Sequence, residues 1–303
     1  MRPHAPYTFE YARLAVPDME ATRQFFEYHV GLETVDNASE RVTLRCAIKH
    51  HCIELESDPS LEAGRVLALG YSVESADVLD DMRQRVKNAG YETLPLTSFM
   101  QDYSTDGFAL IDPNGLRLEF VHEFYEWAEP PLLVYVPEQL VHPFVWTDKY
   151  EDTRALYMDV LGWQASDYLG KTTVFLRGED RHHHSMGLGK TPTFKVAHLC
   201  FKMKSFDHVM RGRARAAYKG LRLSPDLVNH SGSGSLAFYI EELQHGPPVE
   251  LCDGHRVLTP EQHEDHKPRR LFRDPRNVDV WRAASDDDVR GSTSAKTIGA
   301  GRA

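Results

Sequence analysis

At 303 residues, with 41% apolar and 10% aromatic side chains, the chain carries enough material for two cores of ordinary size. Its formal net charge of −10, with no long basic block, argues against a polyanionic partner such as nucleic acid. No apolar run approaches the roughly 18 residues that span a bilayer, and Met1-Arg2-Pro3-His4 lacks a signal-peptide core, so a cytoplasmic protein without membrane association is expected. Cys46, Cys52, Cys200 and Cys252 form no Cys-x-x-Cys pair and read as reduced, mostly buried thiols.

In chain order, Glu10 to Val16 predicts a strand and Pro17-Asp18 opens a helix carrying Phe25, Phe26 and Val30, closed by Gly31. Strand-like runs follow at Val42–Ile48 and Cys52–Leu55, completing one βαβββ unit. A second unit starts with a strand at Val66–Val73 and a helix near Val78–Lys87. It ends in strands Phe108–Ile111 and Leu116–Phe120, joined by the turn Asp112-Pro113-Asn114-Gly115. The proline-containing connection from Glu123 to Pro131 marks the expected boundary between a domain of residues 1–130 and one of 131–282.

The second half repeats the first. Glu20 to Arg23 aligns with Glu151 to Arg154, and Val30-Gly31-Leu32 with Leu161-Gly162-Trp163, at a spacing of 131 residues. Ala68 to Val73 aligns with His198 to Met203, and Gly90 with Gly220, at 130; Gly115 to Phe120 aligns with Gly246 to Leu251 at 131. The second domain therefore holds two further units, over about 140–188 and 195–252. Strands are expected at Thr172–Leu176, His184–Leu188, Val196–Met203, Leu236–Glu241 and Val249–Cys252, with helices near Asp152–Val160 and Phe206–Lys219. Lys267 to Arg273 is a short basic segment, either a cover for a cavity mouth or a solvated arm. From about Ala283 to Ala303 the composition is small and polar and predicts a disordered tail.

Three residues near expected strand ends, His142, His198 and Glu250, present a set that can hold one divalent metal. Two imidazoles and a carboxylate can occupy one face of an iron(II) and leave its other positions open. The repeat provides an internal control. The counterparts are Tyr11 for His142, Ala68 for His198 and Glu119 for Glu250, so the first domain is expected to be metal-free. Histidines required by the fold alone would be expected in both copies. His50, His51, His182, His245, His255, His263 and His266 are expected at the surface.

These motifs resemble those of the type I extradiol ring-cleavage dioxygenases of the vicinal oxygen chelate superfamily, which include dihydroxybiphenyl and catechol 2,3-dioxygenases. The resemblance covers roughly residues 9 to 255 and rests on His142, His198 and Glu250, on Arg181-His182-His183-His184-Ser185, and on His230 followed nine residues later by Tyr239. It implies an α+β fold in which each domain pairs two βαβββ units into an open, barrel-like mixed sheet. It also implies iron(II), with manganese(II) as an alternative, a small catecholic substrate cleaved with dioxygen, and a homo-oligomer. The catalytic counterparts are His184 as acid/base, with His230 and Tyr239 as hydrogen-bond donors. The triple histidine leaves the register between His183 and His184 open; the Ser185-Met186-Gly187 that follows favours His184. Where the family commonly has Asn-Asp after the histidine matched by His230, this chain has Ser231 to Gly234. Phe144, Trp146, Phe175 and Phe238 line an aromatic pocket or pack the core.

Overall fold

The computed structural model describes residues 3–281, so the tail expected from Ala283 lies outside the described residues. The first half contributes β1 (Phe9–Val16), α1 (Met19–Phe25), β2 (Glu33–Asn37), β3 (Arg41–Arg45), β4 (Ile53–Ser57), β5 (Arg65–Ser72), α2 (Ala76–Asn88), α3 (Ser98–Gln101), β6 (Ser104–Ile111) and β7 (Arg117–Phe124). Its strands form one open sheet in the order β2-β3-β4-β1-β5-β7-β6. The second half contributes β8 (Pro137–Thr147), α4 (Tyr150–Ala155), β9 (Gln164–Leu169), β10 (Thr173–Arg177), β11 (Met186–Lys190), β12 (Lys195–Met203), α5 (Phe206–Tyr218), β13 (Val228–Asn229), β14 (Leu236–Ile240), β15 (Val249–Asp253), α6 (Pro260–Asp265) and β16 (Arg269–Leu271). Its open sheet runs β13-β14-β15-β12-β8-β11-β10-β9-β16. Two mixed sheets with a few covering helices make an α+β fold. Among the described residues no helix is long and apolar enough to cross a membrane.

Local chemistry sets the helix ends. The Asp18 carboxylate accepts from the Ala21 N–H at 2.9 Å at the start of α1, and Ser75 and Ser205 cap α2 and α5 in the same way. Each of α1 and α4 widens into one π turn, Phe26–Val30 and Leu156–Val160, at matching places in the two copies. Gly31 and Gly162 then turn the chain with φ near +89°, a conformation open to glycine at no steric cost.

The pairing registers carry the repeat into three dimensions. Tyr11 stands opposite Gly70, and His142 opposite Cys200, on the antiparallel β1–β5 and β8–β12 ladders. Gly70 stands opposite Glu119, and Cys200 opposite Glu250, on the parallel β5–β7 and β12–β15 ladders. At the ends of β7 and β15, Glu123 (φ 51°) and Gly254 (φ 77°) occupy the same left-handed position, so Phe124 and His255 are structural counterparts.

The strand expectations fail at particular places. β2 and β9 carry the polar sequences Glu-Thr-Val-Asp-Asn and Gln-Ala-Ser-Asp-Tyr-Leu, which hide the alternation of a half-buried strand; β2 is an edge strand and needs none. β11 begins at Met186, two residues later than expected, which leaves His184 in the preceding loop. The second unit has one strand fewer than βαβββ, for Leu94 makes only an isolated bridge to Ala109 and is followed by Pro95, which has no N–H to extend a ladder.

The halves share one apolar core. At their junction Trp163, 1% exposed, packs its ring against Tyr71 of β5 (centroids 5.0 Å apart) and Tyr157 (5.3 Å). Trp163→Ala is expected to cost about 3–5 kcal/mol of unfolding free energy, read from urea unfolding followed by circular dichroism. A cost below about 1 kcal/mol would show that the junction contributes little.

Candidate metal centre

His142 of β8, His198 of β12 and Glu250 of β15 come together because β12 pairs with both neighbours in this register. His142 Nε2 lies 3.2 Å from His198 Nε2, His198 Nε2 lies 3.2 Å from Glu250 Oε2, and His142 Nε2 lies 3.5 Å from the same oxygen. Three donor atoms at such spacings can share one cation at roughly 2.0–2.2 Å. Burial holds His198 down to about 3, so its imidazole is neutral. Burial acts to raise the Glu250 carboxyl, while hydrogens of the His142, His230 and His198 imidazoles turned toward it act in the opposite direction and lower it.

Glu250 also supplies the test of whether a cation fits. Its carboxylate is 1% exposed, and neither oxygen has a hydrogen-bond donor. A buried carboxylate left in that state is costly, and a divalent cation held by Glu250 and the two imidazoles removes the cost. The first half meets the same constraint with protein groups. Glu119 accepts from Tyr11 Oη at 2.7 Å, from Arg117 Nε at 2.5 Å and from Arg13 Nη1 at 3.4 Å, while Ala68 stands where His198 does.

His184 Nε2 lies 3.2 Å from His142 Nε2. Its other nitrogen, Nδ1, is 3.0 Å from Nδ1 of His183, whose Nε2 is 2.9 Å from Asp167. A neutral His183 that donates Nε2–H to the carboxylate has only a lone pair at Nδ1, so His184 must donate there and turn a lone pair at Nε2 toward the cluster. His230 Nδ1 faces the Val278 carbonyl at 3.3 Å, which can only accept; the His230 Nε2 lone pair then receives the Tyr239 hydroxyl at 2.8 Å. All six residues expected to carry the chemistry line one cavity of about 590 Å³.

Phe144, Trp146 and Phe175 line the same cavity, whereas Phe238 is fully buried in the core. Two glycines allow the first two rings to lie flat across β11. A Cβ at Gly187 would stand 2.2 Å from the Phe144 ring and one at Gly189 2.0 Å from Trp146. Of the basic segment from Lys267, β16 pairs with β9, and Leu271 and Arg273, followed by Asn277 and Asp279, line the cavity. Arg273 is tied to Thr172 at 2.7 Å, Asn229 N to Asp279 at 2.9 Å, and the Ser231 hydroxyl to the Asn277 carbonyl.

Five of the histidines expected at the surface are instead buried: His50, His51, His182, His255 and His263. His50 and His51 form the first-half copy of the His183–His184 pair, with Nδ1 atoms 2.9 Å apart, His50 Nε2 3.9 Å from Asp36, and His51 against Tyr11. His182 bonds Gln139, His255 bonds the His184 carbonyl, and His263 lies between Glu179 and Arg177. Loop position concealed the burial of the first four, and His263 lies on the short helix α6. The His-His dipeptide present in both halves was the available signal for the first pair.

The fold is that of the glyoxalase and extradiol dioxygenase group. A Mn(II)-bound glyoxalase from Novosphingobium aromaticivorans superposes with a TM-score of 0.80 at 23% identity over 91% of both chains. BphC, a halotolerant catechol dioxygenase, gives 0.80 at 16% identity over 92% of this chain and 94% of its own. Homoprotocatechuate 2,3-dioxygenase from Arthrobacter globiformis gives 0.80 at 18% identity, covering 92% and 88%. No protein-family model matches the chain, and no curated protein matches it in sequence.

Asp167 anchors the His183–His184 pair and is also bound by Arg269, whose Nε lies 2.8 Å away. Burial acts to raise its carboxyl, but hydrogen bonds from His183 and Arg269 prevail and hold it well below the usual carboxylate range. The stabilisation is thus fully present above the unfolded value of about 3.9 and is lost as pH falls through the depressed folded value. Asp167→Asn is expected to cost about 3–5 kcal/mol at pH 7, with the gap to the parent protein narrowing below about pH 4. Urea unfolding across pH checks it; a gap independent of pH would refute the charge assignment.

Proposed function

We propose that the protein is an iron(II)-dependent extradiol dioxygenase that opens the ring of a small catecholic substrate with dioxygen, the metal held by His142, His198 and Glu250. The observation that carries this reading is the ionised, donor-free Glu250 carboxylate beside two imidazole nitrogens in an aromatic-lined cavity. Iron(II) at this site would supply a chelation point for the two catechol oxygens and a route for electrons from ring to dioxygen.

The side chains around that position carry the remaining work. The lone pair that His183 and Asp167 direct to His184 Nε2 accepts a catechol proton, and the same nitrogen returns it later. On the opposite side Tyr239 turns its hydroxyl hydrogen from His230 Nε2, 2.8 Å away, to a substrate oxygen, and His230 donates there only once it has taken a proton on Nε2. Phe144 and Phe175 hold the ring, and the segment after β16 limits water entry.

A metal-dependent isomerase of glyoxalase type is the second reading. It draws on the similarity to the Mn(II)-bound glyoxalase and on His184 Nε2, a further nitrogen close enough to His142 to offer a fourth ligand.

Reconstitution with iron(II) without air, followed by catechols and oxygen, is expected to give oxygen uptake and a yellow ring-opened product. No uptake with any catechol would overturn the dioxygenase, and turnover without oxygen consumption would mark the isomerase. His142→Ala is expected to lower metal retention to background while Tyr11→Ala leaves it unchanged. Equal loss from both would refute the assignment of the metal to the second half alone.

A further inference from the structure

Between the two halves, the groups around the buried glutamate fall into two sets. Glu250, Asp167, His183 and His184 have first-half counterparts in Glu119, Asp36, His50 and His51: the two histidine pairs make the same Nδ1–Nδ1 contact, at 3.0 and 2.9 Å, while Asp36 lies 3.9 Å from His50 where Asp167 lies 2.9 Å from His183. His142 and His198 do not recur, their places being taken by Tyr11 and Ala68. A third histidine shares that asymmetry. His255 packs its ring against His142 (centroids 5.1 Å apart) and His184 (4.6 Å), whereas the first half has Phe124 against Tyr11 (5.5 Å) and His51 (5.2 Å). The aromatic triangle is kept and a nitrogen-bearing ring is introduced only beside His142.

The protons can be assigned. His255 Nε2 lies 3.2 Å from the His184 carbonyl oxygen, which only accepts, so Nε2 carries the hydrogen. The Nδ1 of neutral His255 is then a lone pair, in a side chain 3% exposed, with no hydrogen-bond partner. His142 has the complementary gap. Its Nε2 faces His198, His184 and Glu250, and its buried Nδ1 also has no partner. An imidazole that presents Nε2 to a cation bears its hydrogen on Nδ1, and that hydrogen requires an acceptor. One ring nitrogen from each of His142, His184 and His255 lies within 4.8 Å of the others.

We infer that His255 is a positioning residue of the metal centre: the two unpartnered Nδ1 atoms, in adjacent rings but not bonded to each other in this structure, pair when a metal is held, His255 accepting the Nδ1–H of His142 and so fixing the ring and tautomer that turn His142 Nε2 toward the metal. The inference rests on the metal site proposed above. His255 does not itself ligate the metal.

The test uses Mn(II) alone as probe, with the dissociation constant read from the electron paramagnetic resonance of free Mn(II) and coordinated nitrogens counted by electron spin-echo modulation. His255→Phe reproduces the first-half residue and is expected to fold, with the metal-free protein retaining its thermal unfolding midpoint. Its dissociation constant is expected to rise about 10–100-fold with the nitrogen count unchanged. His255→Asn, which can place an acceptor oxygen where Nδ1 stood, is expected to recover most of that loss, whereas His255→Gln, which keeps only the donor to the His184 carbonyl, is not. Unchanged affinity in His255→Phe, or Asn no better than Phe, overturns the inference. Loss of a coordinated nitrogen in His255→Phe overturns it as well, by making His255 a ligand. If the parent protein binds Mn(II) and His142→Ala does not while His255→Phe binds normally, only this inference fails; if the parent protein takes up no metal, the site itself fails with it.

Discussion

A carboxylate buried where three strands meet must find positive charge. Both halves of this protein are built around that constraint and resolve it in different ways. In the first sheet Glu119 lies against Arg13, Arg117 and the Tyr11 hydroxyl, and Arg13 in turn reaches Glu54 and Glu56. In the second sheet the glutamate is retained without any guanidinium in contact among the described residues, and imidazole nitrogens surround it instead. Fixed cations around a buried anion are replaced by neutral nitrogen donors, which is the basis for proposing that a diffusible cation takes their place.

The rest of the second half serves that difference. Parallel pairing of β12 with β15 and antiparallel pairing with β8 bring His142 and His198, 56 positions apart in the chain, and His198 and Glu250 each to 3.2 Å, a spacing that ligands of one cation can have. Glycines on β11 leave room for Phe144 and Trp146 to lie over the strand, and the segment after β16 lines the cavity. Behind the cavity wall, Asp167 and Arg269 set the proton on His183, and His183 sets the proton on His184. Since His50 and His51 copy the histidine pair, with Asp36 3.9 Å from His50, the pair belongs to the shared frame, and the imidazoles of His142, His198 and His255 are particular to the second half.

Much of this was legible in the amino-acid order because repetition supplied a control. The spacing of 130–131 residues located the counterparts of His142, His198 and Glu250, and the ladder registers repeat it, with His142 and Glu250 flanking Cys200 as Tyr11 and Glu119 flank Gly70. Strands with an apolar alternation, such as β1, β5 and β12, were readable from pattern. β2 and β9 were not, because an edge strand or one covered by another strand can be polar without loss of stability. The histidines in loops were misread for a related reason: burial of a loop side chain depends on what crosses over it from distant sequence, and local pattern contains no record of that.

By itself, then, the sequence determined the order of elements, the repeat, and which residue types differ between the copies, because these follow from local periodicity and from comparing the chain with itself. Only the tertiary structure decided which nitrogens face which oxygens: that Glu250 lacks a donor where Glu119 has three, that His184 and not His183 reaches His142, and that His255 stands behind it. Those relations depend on distances of a few ångströms across strands and loops far apart in the chain. They exist only once the sheets have closed around them.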